Sequence, residues 1–97
     1  MEKFVYLNSL FDLYGDLLTE KQKVYFMEYY FNNLSYGEIS DKYHVTRNAI
    51  YHQLKLIEEK LLMYEEKLNL LTKREKINAL ISKLDNNEIK KCLEELF

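Results

Sequence analysis

Ile50, Leu54, Ile57, Leu61, Tyr64, Leu68 and Leu71 follow one another at intervals of four, three, four, three, four and three residues. This is the a/d spacing that lays one long helix along another, here sustained over three heptads. A half-buried strand would instead alternate at every second residue. The seam therefore commits the middle of the chain to a long helix and obliges something else to cover it. The N-terminal helix, the last two helices or a second copy of the chain would each serve, and the spacing does not choose among them. A homodimer is accordingly one expected state.

Helix starts around this seam are well marked. A capping box, in which Ser or Thr caps a helix and a Glu or Gln three residues on reaches back, occurs at Thr19–Gln22, Ser35–Glu38 and Thr72–Glu75. Thr46 before "RNAIYHQL" is a further cap, as is Asp85 or Asn86 before Glu88. With no Pro and two Gly, these starts divide the chain into about six helices, near 2–14, 20–32, 36–43, 47–70, 73–84 and 87–96. The expected fold is all-α: a helix-turn-helix core over about 19–61, with an extension of the long fourth helix and two C-terminal helices over 62–97. All lie within a single domain, 1–97.

Each helix carries an apolar stripe. The first uses Phe4, Leu7, Leu10, Phe11 and Tyr14, with Gly15 suited to its C-terminal stop. The second uses Val24, Met27, Tyr30 and Phe31 and ends at Asn32-Asn33. Ile39 and Tyr43 face inward from the third, which is too short to stand alone. Ile77, Leu80, Ile81 and Leu84, then Ile89, Leu93 and Leu96, make the last two helices amphipathic.

"YGEISDKYHVTRNAIYHQL" has helix-turn-helix form. Ile39 anchors its first helix, Val45 plugs the turn, Ala49 is small where the helices cross, and Ile50 and Leu54 pin the second helix to the core. Left facing out are Thr46, Arg47, Asn48, Tyr51, His52 and Lys55. In such motifs the N-terminal end of the second helix meets base edges and its flanks meet phosphates. Arg47 suits guanine and Asn48 adenine, Thr46 and the helix N-terminus suit a phosphate, and Lys55 is a phosphate contact. The bland reading of the same residues is solvated surface, and for Tyr51 and His52 it outweighs base contact.

Over residues 18–61, "LTEKQKVYFMEYYFNNLSYGEISDKYHVTRNAIYHQLKLIEEKL" resembles the promoter-reading C-terminal domain of bacterial sigma factors. That family shows an L-T-x-x-Q/E helix start, a "Y…LSYxEIA" first helix and an "SRxxV" second helix, which read here as LTEKQ, LSYGEIS and TRNAI. Over residues 7–71, "LYGDLLTEKQKVYFMEYYFNNLSYGEIS" and "VTRNAIYHQLKLIEEKLLMYEEKLNLL" are similar to the small YlxM proteins of low-GC bacteria, and the likeness is looser after Leu71. The resemblance implies a small helical protein with a sigma-like helix-turn-helix. Such proteins are encoded beside genes of the signal recognition particle, which implies a regulatory or accessory role in that pathway, with the particle's protein or RNA as partner. The sequence departs from the sigma pattern in three respects. His44 stands where Gly is common because the turn needs positive φ, Ser40 replaces Ala, and Tyr51, His52 and Gln53 stand where further Arg or Lys is usual.

Charge sharpens this last point. The chain carries a net −2, with three Lys against seven acidic residues in 1–41 and a balance of seven and seven in 61–97. Only 42–60 is positive, with Lys42, Arg47, Lys55 and Lys60 against Glu58 and Glu59. That permits nucleic acid without the basic patch of a strong binder. Lys67, Lys73, Arg74 and Lys76 form a second basic run, by default a charged helix face. Cys92 is expected as a small buried hydrophobe in a reduced, cytoplasmic protein. His44 and His52 lack partners at ligand spacing, so no metal or other cofactor is expected. No phosphate loop, nucleophile with its base or carboxylate pair in a cleft is present, so an enzyme is not expected. "MEKFVYLNSL" suits neither a signal peptide nor a membrane span.

Overall fold

The computed structural model describes residues 2–84 and 87–96. Within them lie six helices: α1 (Lys3–Tyr14), α2 (Glu20–Tyr30), α3 (Tyr36–Tyr43), α4 (Arg47–Leu68), α5 (Leu70–Ile81) and α6 (Asn87–Glu94), with a 3-10 turn at Gly15–Leu17. Among the described residues there is no strand, and no helix is long and apolar enough to cross a membrane. The all-α helix-turn-helix architecture is thus as expected.

The heptad seam is covered from within the chain. Ile50, Leu54, Ile57 and Leu61 are buried under α1, α2 and α3, alongside Leu7, Leu10, Phe26 and Ile39. Farther along, Tyr64 packs on Tyr14 of α1 with ring centroids 5.9 Å apart, and Leu71 is buried at the start of α5. Leu68 departs from the seam and is exposed, because α4 ends there and Asn69 adopts a left-handed conformation (φ 54°, ψ 31°).

Both N-terminal capping boxes form at Thr19–Gln22 and Ser35–Glu38, and Thr46 Oγ1 accepts the amide of Ala49 at 3.0 Å. The third box does not form. Asn69 turns the chain at once, so α5 begins at Leu70 and Thr72 falls within its first turn. A buried carboxylate replaces the box. Glu65 accepts the amides of Leu71 (3.0 Å) and Thr72 (3.2 Å) and the Thr72 hydroxyl (3.0 Å). Tyr14 Oη donates to Glu65 at 2.6 Å and accepts the amide of Leu70 at 3.0 Å. Three otherwise orphaned N–H groups at the start of α5 are thereby satisfied by side chains of α1 and α4. Burial pushes the Glu65 carboxyl up, but the hydrogen bonds from Tyr14, Leu71 and Thr72 outweigh it and hold the group below its ordinary range. The expected cap at Asp85 or Asn86 lies outside the described residues.

Several expected core residues lie elsewhere. On α2 the buried side chains are Gln22, Tyr25, Phe26, Glu28 and Tyr30, while Val24, Met27 and Phe31 are exposed. The helix is apolar on two faces, and the aromatic-rich one wins because rings bury the larger area. Phe26 stacks on Phe11 (4.3 Å) and on Tyr30 (4.3 Å). Glu28 is admitted to that face by Asn32, Lys42 and Tyr43, whose donors lie at 2.7, 2.6 and 2.9 Å. Phe4 is exposed, lying on the edge of the core against Tyr30. Gly15 follows α1 with an ordinary helical φ of −55° and prolongs it as the 3-10 turn. What Gly15 supplies is room, since a Cβ there would stand 3.2 Å from the Phe11 ring.

The molecule is elongated, 54 × 25 × 24 Å, with a radius of gyration of 16.7 Å. A compact chain of this length would have about 12.5 Å. The excess comes from α5 and α6, which extend beyond the core with α6 packed on α5. Leu80 and Leu96 remain exposed there, and Cys92 is exposed too, for want of a second layer over α6.

Candidate nucleic-acid interface

The turn between α3 and α4 is built as the residue types require. His44 takes the left-handed conformation (φ 59°, ψ 43°) that its position demands, and its amide and that of Val45 both donate to the Ser40 carbonyl. Ser40 is buried in place of an Ala because its hydroxyl donates to the Gly37 carbonyl at 2.8 Å. Val45 is half-buried against the core, closing the turn. Ala49 is not at the helix crossing. It is exposed on the first turn of α4, whereas Ile39 of α3 and Ile50 and Leu54 of α4 are buried in the shared core.

Thr46, Arg47, Asn48, Tyr51, His52 and Lys55 are all exposed on the N-terminal half of α4. Their surroundings differ. The Arg47 guanidinium lies over Gly37 of α3, so that a Cβ on that glycine would stand 2.9 Å from Nε and 3.0 Å from Cζ. Lys55 Nζ sits 5.6 Å from the centroid of the Tyr51 ring, a cation–π contact that holds it on the helix surface. Tyr51 in turn meets His52 edge-on at 5.5 Å and Tyr36 edge-on at 5.8 Å. Thr46 spends one lone pair of its hydroxyl on the cap and keeps its proton to donate. Asn48 stands at the same end of the helix with its amide toward solvent.

The cations of the positive window are not equivalent. Lys42 is bound at 2.6 Å by Glu28, a carboxylate with only 7% of its side chain exposed. Hydrogen bonds from Lys42, Asn32 and Tyr43 hold Glu28 well down, at about 2. Lys60 donates to Gln22 Oε1 at 3.3 Å. Arg47 and Lys55 make no ion pair among the described residues. In the second basic run, Arg74 is paired with Asp12 at 2.9 Å.

An aromatic wall stands beside this face, although the sequence reads Tyr29, Tyr30, Phe31 and the other aromatics as core before a stacking platform. Tyr29 and Tyr36 stack with centroids 5.1 Å apart and planes 17° from parallel. The neighbouring Tyr29 hydroxyl, with burial, pushes Tyr36 up to about 12. With Phe4, Tyr30 and the side chains of Lys3, Lys55 and Glu58 they line a cleft of about 250 Å³. Its members come from four helices, so no local spacing marks them; the only signal is the density of tyrosine between 25 and 51. Among the described residues no group of three or more His, Cys, Asp or Glu stands where it could hold a metal ion.

A helix-turn-helix family model, "YlxM / p13 like", matches residues 1–96, so the likeness runs through the C-terminal helices as well as the core. A UPF0122 protein of Listeria welshimeri is 46% identical over 98% of this chain and 94% of its own length. One from Halalkalibacterium halodurans is 41% identical over 98% of this chain and 87% of its own. One from Bacillus licheniformis is 45% identical over 91% of this chain and 85% of its own. None of these names an enzyme. With a capped turn at His44, a second helix pinned by Ile50 and Leu54, and a match along nearly its whole length, the chain belongs to the UPF0122 family of YlxM / p13-like helix-turn-helix proteins.

Proposed function

We propose that this protein is a DNA-binding regulator of the signal recognition particle pathway that presents the N-terminal half of α4 to a major groove. The observation that carries the reading is the division of that half-helix. Ile50 and Leu54 are fully packed, whereas Thr46, Arg47, Asn48, Tyr51, His52 and Lys55 are exposed and two of them are unpaired cations. Arg47, bidentate to a guanine, and Asn48, to an adenine, would read bases. Thr46 and Lys55 would contact phosphates, with Tyr51 and His52 filling the groove between them. Lys42 is excluded from the set by Glu28.

Modest affinity follows from so few cations. If Lys55 and Lys60 each neutralise a phosphate while Arg47 is on a base, log K falls with log salt at a slope of about −1.8. That is roughly a 12-fold loss between 50 and 200 mM. A homodimer, with Leu80 and Leu96 of the projecting C-terminal segment as its contact, would double the slope and require half-sites at whole-turn spacing. Fluorescence anisotropy against a genomic duplex pool tests the reading. Salt-sensitive, Arg47-dependent binding at micromolar protein is expected, and its absence refutes it. Light scattering separates monomer from dimer.

A second reading is favoured by the outer face of α2. Val24, Met27 and Phe31 are exposed, and Phe31 lines a cavity of about 350 Å³ together with the ion-paired Asp12 and Asp16. An exposed apolar stripe suits a partner protein's surface, as an accessory module of the signal recognition particle would need. A pull-down with the particle's protein and RNA that recovers neither would remove this reading.

A further inference from the structure

The tyrosine-lined cleft lies alongside the α4 face but is not part of a helix-turn-helix contact. Its 250 Å³ is below the roughly 300–1,000 Å³ of sites for drug-sized ligands. It has room for one planar ring system. The stacked pair Tyr29 and Tyr36 forms one wall, and Phe4 with Tyr30, ring centroids 4.9 Å apart, forms another. At its base, Glu58 Oε1 accepts the Tyr30 hydroxyl at 2.6 Å, while Oε2 faces Lys3 Nζ at 3.5 Å. Only 15% of the Glu58 side chain is exposed, against 71% of Lys3, so the lysine can swing away and leave a carboxylate oxygen open to a new donor. Lys55 stands at the rim.

These groups select one chemistry. Aromatic faces bind a flat π-system, a carboxylate floor accepts N–H donors, and two ammonium groups at the rim attract the phosphates on either side of it. An aliphatic ligand would leave the rings unused. A peptide aromatic would bring no anions to the lysines, and a free anion would meet the carboxylate. We propose that the cleft takes one unpaired nucleobase of a nucleic-acid strand held on α4, stacked on the Tyr29–Tyr36 wall with its N–H edge on Glu58 and its flanking phosphates on Lys3 and Lys55. The strand would already be held by Arg47 and Lys55, so this site rests on the nucleic-acid reading and adds an unpaired base to what that reading requires. Such platforms tolerate many sequences, because every base has a π-face.

The test uses the full chain and three fluorescent duplexes of one sequence: fully paired, with one extrahelical guanine, and with one extrahelical abasic residue. The guanine bulge should bind about tenfold more tightly than the other two, the order expected for one base on an aromatic platform. Tyr36→Leu should erase that advantage and Tyr36→Phe should keep it, with circular dichroism confirming that both fold. Should Tyr36→Leu unfold, Glu58→Gln, which removes charge from the floor, must still reduce the preference. Equal affinity for the guanine and abasic bulges would overturn the cleft, because bending rather than the base would then be read. Equal affinity for all three would overturn the cleft and leave duplex binding intact. Binding of the guanine bulge alone would support the cleft and remove the groove-reading helix. Binding of none would remove both.

Discussion

Replacing Glu65 with Ala isolates the joint between the helix-turn-helix core and the C-terminal helices. Four donors lose their acceptor: Tyr14 Oη, the amides of Leu71 and Thr72, and the Thr72 hydroxyl. Tyr14 and Leu71 are 1% and 3% exposed, so water cannot replace the carboxylate without opening the joint, whereas Thr72 is exposed and rehydrates. Leaving a buried donor unsatisfied costs about 1–3 kcal/mol, and losing a helix N-cap about 1 kcal/mol. Relief of the desolvated charge offsets part of this, which leaves a net loss of about 3 kcal/mol. Urea denaturation followed by circular dichroism at neutral pH measures it, with the exposed Glu59→Ala as control. Amide exchange at Leu71 and Thr72 should accelerate well before exchange at Ile57. The pH dependence has a definite sign. The folded Glu65 carboxyl is held below its ordinary value, so its stabilisation is present above about pH 4.5 and is lost as pH falls through the folded value. Glu65→Gln should lose that increment of pH dependence. A loss under about 1 kcal/mol in Glu65→Ala, or no change in Leu71 exchange, would refute the capping role.

Three further outcomes are expected. Glu28, held at about 2 by Lys42, Asn32 and Tyr43, should contribute a stability that fades as pH falls from about 4.5 toward 2. Thermal melts across that range should be flatter in Glu28→Gln. Gly37→Ala should leave the fold intact, because the Cβ meets only the flexible end of Arg47. It should nevertheless push the guanidinium from its seat and change DNA affinity at constant melting temperature. At His44, with φ at 59°, Gly should stabilise by about 0.5–1 kcal/mol and Val should destabilise by more than 1 kcal/mol, read by urea midpoints.

The left-handed turn at His44 and the mark at Asn69 show how unevenly the sequence disclosed its own structure. His44 stood where positive φ was required, and it has positive φ. Asn69 has the same conformation (φ 54°), yet the Thr72–Glu75 box beside it suggested a later start for α5. A capping box is a local pattern, and the cap that formed instead joins Glu65 and Tyr14, which lie 51 residues apart. The exposed residues from Thr46 to Lys55 were legible as a surface because Ile50 and Leu54 fix which side of α4 is buried. Their companions Tyr29, Tyr36 and Glu58 were not, since only the packing of α2, α3 and α4 brings them together.

By itself, then, the sequence determined the helices, their order, the turn and the buried side of α4, all of which follow from spacing and caps within a few residues of each other. Tertiary structure decided which face of α2 went inside, what covered the heptad seam and which cations were left unpaired. Each of these is a competition between distant groups for the same buried surface or the same carboxylate. On α2, Phe26 and Tyr30 outbid Val24 and Met27 because their rings fill more of the space beneath α1. Lys42 is taken up in an ion pair because Glu28, carried inward on that same face, is neutralised there.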